Sequence, residues 1–286
     1  MPGPPSTSTP RYPPPSGTPL PPQRPRRRWP LVLAVLVPVV ALIVVFGVWL
    51  RNGPMGDLAR TEGPVEPLFA IPELNVASGS AVPTVPPPLP DARPGHGDPM
   101  AAWLTRVSAH TDIPRRVLQA YVNAAEVTAK RNPGCHLSWA TLAGVGRIES
   151  DHGQHHGDVV LGNGTEAYPI IGPALDGSAG VRSIHDTDHG RLDGDATWDH
   201  AVGPMQFLPS RWLAEGQRAS GDGRAPDPQN VDDASLTAAA YLCRSGDLTV
   251  PARWWAAAFH YNNSVAYGRA VFSAADAYAK ASTVTG

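Results

Sequence analysis

The chain is short of several things that would announce a function. Only two of its 286 residues are cysteine. No Cys/His/Asn signature surrounds either, which argues against a cysteine nucleophile. Charge of one sign is not in excess: the formal net charge is −2, and from residue 99 onward acidic residues outnumber basic ones. With no basic stripe, nucleic acid is not an expected partner. No H-E-x-x-H helix is present, so the usual zinc-hydrolase motif is missing. No convincing run of alternating apolar and polar residues marks a strand, and no internal repeat is evident.

Proline and glycine are plentiful, at 33 and 28 residues, but unevenly spread. Residues 1–28 and 51–98 are proline-rich. Proline removes a backbone donor and fixes φ, and these stretches hold too few apolar residues to offset ordering entropy. They read as a disordered tail and a disordered linker. The folded part is then residues 99–286, the size of one domain.

Residues 29–50 read WPLVLAVLVPVVALIVVFGVWL, without a charge. About 20 apolar residues span a bilayer as a helix. Trp29 and Trp49 stand near the two ends, where interfacial aromatics are favoured. Pro38 is tolerable inside a membrane helix. Arg24, Arg26, Arg27 and Arg28 precede the run, so the positive-inside rule predicts a single-pass protein of the cell membrane. Its N-terminus is expected in the cytoplasm and everything beyond residue 50 outside. A cleaved signal peptide is the rival reading. The run is longer than a usual signal core, and no A-x-A-like site follows Leu50. The linker could reach about 150 Å as polyproline II or ~40 Å as a flexible coil.

Cys135 and Cys243 fall on the outer side by this topology. An even count in an oxidising compartment predicts one disulfide, worth up to ~4.7 kcal/mol for so long a loop. Two buried free thiols are the alternative.

The domain reads as helices joined by loops. A helix is expected over 100–110. A second begins near Asp112 as cap, with Pro114 in its first turn. A third, WATLAGVGRIES, is capped by Ser138. A long Gly/Asp/His-rich loop then runs to about residue 200. Further helices are expected over 205–215, 234–244, 252–259 and 264–280. Glu149 stands in the last turn of the third helix, where the helix end carries partial negative charge. A partly desolvated carboxylate there is pushed toward its protonated form, as a general acid needs. An ordinary surface glutamate at a helix end is the plainer reading of that helix alone.

Other segments bear on the choice. IPRRVLQAYVNAA, CHLSWATLAGVGRIESDHG, DTDHGRLDGDATWDHAVGPMQFLPS, DPQNVDDASLTAAAYLC and FHYNNSVAYGRAVF occur in that order. Together they resemble the lytic murein transglycosylases of the membrane-bound B type, in their actinobacterial form, over nearly all of residues 99–280. The resemblance implies a mainly α, lysozyme-like domain. The implied activity is cleavage of the β-1,4 bond between N-acetylmuramic acid and N-acetylglucosamine in peptidoglycan glycan strands. One glutamate, here Glu149, would protonate the leaving oxygen and then take the proton of the muramoyl C6 hydroxyl. That hydroxyl closes onto C1 and gives a 1,6-anhydro end. No cofactor is implied.

By the same resemblance Gln206, in GPMQF, holds substrate beside the acid. Thr197 supplies a hydroxyl to the glutamate. Tyr261 and Asn262 form a Tyr-Asn pair near the cleft, Tyr267 is a further cleft tyrosine, and Tyr241 stands behind the acid. Tyr241 and Tyr261 could equally be core residues.

Two patterns look metal-like. His152, His155 and His156, with His185, Asp186 and His189, invite a zinc site. They lie in Gly-rich loop sequence and read better as solvated histidines, so no metal is expected. SGDGRAPDPQNVDD resembles a degenerate calcium loop, and some members of the resembled family carry an EF-hand-like site there. Arg218 and Ser220 stand where ligands should precede Asp222. Asp186, Asp188, Asp193 and Asp195 form a second acidic run, suited to Asx turns. Three rival functions remain at this level: a lysozyme-like hydrolase using Asp186 or Asp199 to position water, a non-catalytic wall-binding module, and a zinc amidase.

Overall fold

The computed structural model describes residues 69–80 and 98–283. The expected tail, the membrane helix over 29–50 and the remainder of the 51–98 linker lie outside them. Among the described residues no helix is long and apolar enough to cross a membrane.

The described domain is mainly helical. Seven α-helices run in the order α1 (Pro99–His110), α2 (Arg115–Arg131), α3 (Trp139–Ser150), α4 (Pro209–Glu215), α5 (Val231–Leu242), α6 (Pro251–Tyr261) and α7 (Val265–Ser282). Local chemistry sets their starts. Asp98 accepts from the Met100 N–H, with Pro99 following in the first turn. Ser138 accepts from the Ala140 N–H and starts α3 as its sequence suggests. Asn230 caps α5, and Asp232 and Asp233 favour its positive end. Asp112 does not cap α2, which starts after Pro114. Its carboxylate is taken by Arg147 and by the Tyr278 hydroxyl.

Two short strands, β1 (Ile171–Ala174) and β2 (His200–Val202), form an antiparallel pair. They are too short for alternation to be readable, so the stretch expected as loop from 153 to 200 contains β1 and runs into β2. The helix expected from 205 begins only at Pro209, because residues 203–206 form a tight turn closed by Val202–Phe207 hydrogen bonds.

α3 is the central helix; Trp139, Leu142 and Val145 are buried. Gly144 lets it approach α7 closely: a Cβ there would stand 2.6 Å from the Val271 carbonyl oxygen. This contact brings the last turn of α3 beside the first turn of α7. Within the stretch read as linker, residues 69–80 lie along the domain. Phe69 stacks on Tyr278 at 5.3 Å, the Leu74 N–H donates to Ser273 Oγ, and Arg269 Nε and Trp255 Nε1 donate to the carbonyls of Val76 and Ser80. Apolar side chains at 69, 71, 74 and 76 pack on the core, which the surrounding prolines obscure in the sequence.

Cys135 and Cys243 are paired, with Cα atoms 5.3 Å apart. The bridge ties the α2–α3 loop to the end of α5 across 108 residues of sequence. Its removal by Cys135→Ser with Cys243→Ser is expected to cost about 2–5 kcal/mol. Denaturant titration with and without reductant checks it. An unchanged midpoint on reduction of the wild type would mean that the bridge adds no stability.

Candidate active site

Glu149 is half-buried at the end of α3. The Tyr267 hydroxyl donates to its Oε1 at 2.6 Å. Burial pushes the Glu149 carboxyl up to about 7, against the opposing pull of the Tyr267 hydrogen bond. A carboxyl so placed carries its proton near neutral pH and can still release it, which is what a group acting first as acid and then as base requires. Tyr267 is buried in the first turn of α7, where the Ser264 hydroxyl accepts from its N–H. Burial first, and the nearby Glu149 second, raise the Tyr267 phenol well above its usual range, so it stays a donor.

The aromatic residues singled out in sequence are brought together. Tyr261 lies near-parallel to Tyr267 with ring centroids 6.4 Å apart, and edge-on to Tyr241 at 5.6 Å. Their hydroxyls bind backbone: Tyr261 donates to the Met205 carbonyl and Tyr241 to the His260 carbonyl. Arg211 and Arg244 flank the Tyr241 ring, with Arg211 4.9 Å from its centroid. Tyr241 is thus braced from its own surroundings and is one layer further from Glu149 than Tyr261 and Tyr267.

Gln206 belongs to the turn over 203–206. That turn is pinned from two sides, by Ser150 Oγ donating to the Pro204 carbonyl at 2.7 Å and by Tyr261 holding Met205. Ser150 follows Glu149 directly, so the turn is fastened to the end of α3 that carries the acid. Gln206 has φ of 48°. Its Nε2 donates to the Gly203 carbonyl at 3.0 Å, which leaves its Oε1 as acceptor. Gly172 makes room for that oxygen: a Cβ there would approach it to 2.8 Å. Asn262 ends α6 with its side chain exposed.

Thr197 does not take the place expected of it. It is exposed, its N–H donates to Asp195 Oδ1, and its carbonyl accepts from the Asp186 N–H. The hydroxyl that reaches Glu149 is that of Tyr267.

The metal-like patterns resolve differently from their sequence reading. His152 is not a solvated histidine but fully buried, with Tyr121 at Nδ1 and Tyr278 at Nε2. His155 and His156 are exposed. Among the described residues no histidine joins a group of three or more converging metal-ligating side chains. In the degenerate calcium-like loop, both Asp222 oxygens are occupied by Arg218 and Arg224. Asp199 is fully buried, and its two oxygens accept from the Thr187 N–H and hydroxyl, so it is not open to bulk water.

Glu166 escaped the sequence reading altogether. It is 4% exposed, and neither carboxylate oxygen accepts a hydrogen bond. Burial, with Asp158 nearby, pushes it up to about 8. In sequence it is one polar residue in a glycine-rich stretch, with nothing to signal burial. Comparison of the chain with protein-family models, with curated proteins and with solved structures gave no match.

Proposed function

We propose that this chain is a peptidoglycan lytic transglycosylase with Glu149 as its catalytic acid and base. The observation that carries the reading is a helix-end glutamate held by a tyrosine hydroxyl and pushed up to about 7 by burial. Protonated Glu149 gives its proton to the glycosidic oxygen as the bond from the muramoyl C1 breaks. The glutamate, now a carboxylate, takes the proton of the muramoyl C6 hydroxyl, whose oxygen bonds to C1. Charges and protons balance, and no water is consumed. Gln206 supports the reading as a fixed amide acceptor near the acid, suited to sugar hydroxyls and acetamides. Tyr261 and Tyr267 support it as an aromatic wall with one donor aimed at the acid, and exposed Asn262 as a further sugar contact. In this proposal the partner is the glycan strand, the run at 29–50 anchors the chain, and the domain works outside the cell membrane.

Digestion of purified peptidoglycan with the full chain tests it. Fragments are expected to be lighter by one water than hydrolysis products, because ring closure replaces attack by water. Fragments ending in reducing muramic acid would instead make this a lysozyme-like hydrolase. Release of stem peptides from intact glycan would set the glycan reading aside.

A further inference from the structure

The loop over 186–199 contains carboxylates that the proposed chemistry does not use. Asp186, Asp188 and Asp199 each present an oxygen, and these three oxygens lie within 4.8 Å of one another. Asp199 is fully buried and Asp188 is 6% exposed. One oxygen of Asp188, Oδ1, is buried and accepts no hydrogen bond, although its partner Oδ2 is held by the Leu192 N–H. Among the described residues no lysine or arginine pairs with any of the three. The exposed ring of His189 lies 3.9 Å from Asp186 Oδ2.

Three carboxylates this close repel one another, and an unpaired buried oxygen adds a desolvation cost. One ligand relieves both: a cation among them. We propose that Asp186, Asp188 and Asp199 form a binding site for a hard divalent cation, calcium. The donors are all oxygen, which selects against zinc and copper. Oxygens around calcium at 2.3–2.6 Å lie at most about 5 Å apart, so the trio reaches one ion as it stands. Magnesium demands near-ideal octahedral geometry and retains most of its water, and this irregular loop imposes no such geometry. The Asp199 carboxylate accepts the Thr187 N–H and hydroxyl on lone pairs that leave others free, so it can serve the loop and the ion together.

The position gives the ion a structural effect. Asp199 immediately precedes β2, and β2 leads into the turn that carries Gln206. The other end of the loop is tied back by the Asp186 N–H to Thr197 carbonyl bond. A cation at the trio would fasten the loop at the root of that strand. Such an ion would hold the loop whatever reaction Glu149 performs.

The test is calorimetric titration of the full chain with calcium chloride after treatment with chelator, alongside thermal unfolding. Binding is expected with Kd at or below ~10⁻³ M, the range of extracellular modules. At calcium ~100-fold above Kd the melting temperature should rise by roughly 5–10 °C. Asp188→Asn should weaken binding by at least ~10-fold. Asp186→Asn, at the more open edge of the trio and with its Asx-turn oxygen kept, should do the same and covers the case in which Asp188→Asn fails to fold. Asp222→Asn should leave binding unchanged. No calcium response in the wild type overturns the proposal. So does a response that survives Asp186→Asn, or one that is lost in Asp222→Asn.

Discussion

Glu149→Gln is expected to reduce release of glycan fragments by ~10²–10⁴-fold, the range of a lost general acid or base, without disturbing the fold. The amide keeps the shape of the side chain and can still accept from Tyr267, so the wall of Tyr267, Tyr261 and Tyr241 stays in place. What disappears is the proton. The same substitution should stabilise the protein. The folded Glu149 pKa, about 7, lies above its ordinary 4.5, so the folded chain holds this proton over a range where the unfolded chain has lost it. The resulting penalty is absent below pH 4.5 and grows as pH rises to 7, reaching about 3 kcal/mol. Denaturant curves of the two proteins should therefore coincide at pH 4 and separate at pH 8, with the glutamine variant the more stable. A second substitution separates the tyrosine's role from the acid's. Tyr267→Phe removes the donor that favours the carboxylate, so the alkaline limb of the rate profile should move to higher pH. Near-normal turnover of Glu149→Gln would show that the acid is elsewhere. A limb that stays put or moves down in Tyr267→Phe would show that the hydrogen bond does not tune it.

Much of this site is legible in the sequence, and the parts that are not share a cause. Ser138 as cap and the apolar face of WATLAGVGRIES place Glu149 at a helix end, because capping and helical periodicity act over a few residues. The tyrosines and Gln206 come from motif resemblance, and the fold does bring them to one place. The donor to Glu149 is another matter. Thr197 and Tyr267 both carry hydroxyls, and choosing between them depends on how closely α3 and α7 pack, which rests on the missing Cβ of Gly144. Asp112 precedes a proline and a helix, so it reads as a cap, yet Arg147 and Tyr278 claim it from distant positions in the chain. His152 and Glu166 are polar residues in glycine-rich sequence, where local signals point to solvent. Only the return of α7 and of the loop after α3 buries them.

His152 is the test of that buried polar layer. Its position allows one order of donors. The Tyr278 hydroxyl gives its proton to Asp112 Oδ1, so its oxygen must accept from His152 Nε2, 2.7 Å away. With the ring proton on Nε2, Nδ1 is the acceptor for the Tyr121 hydroxyl at 3.1 Å. The chain Tyr121, His152, Tyr278, Asp112 then satisfies every member with a neutral ring, and Arg147 closes it as the ion-pair partner of Asp112. Removing the ring in His152→Ala leaves a cavity, strands the buried Tyr121 hydroxyl and takes the donor from the Tyr278 oxygen, for an expected loss of about 3–5 kcal/mol. In thermal unfolding that is a fall on the order of 10 °C for a domain of this size. The pH dependence is the sharper readout. Burial first, and Arg147 second, depress the His152 pKa from 6.5 to about 3. Between those values the unfolded chain binds a proton that the folded chain refuses. Stability contributed at this position is therefore whole above pH 6.5 and is lost as pH falls toward 3, by up to about 5 kcal/mol. Glu149 and Glu166 act in the opposite sense over part of that range, since their raised values favour the folded state at low pH. Comparing wild type with His152→Gln cancels both, because each protein carries them. The stability gap between the two should be largest at pH 7, shrink steadily below pH 6.5, and reverse or vanish near pH 4. A gap that stays constant from pH 7 to pH 4 would mean that the ring titrates alike folded and unfolded, and the neutral hydrogen-bonded chain would have to be abandoned.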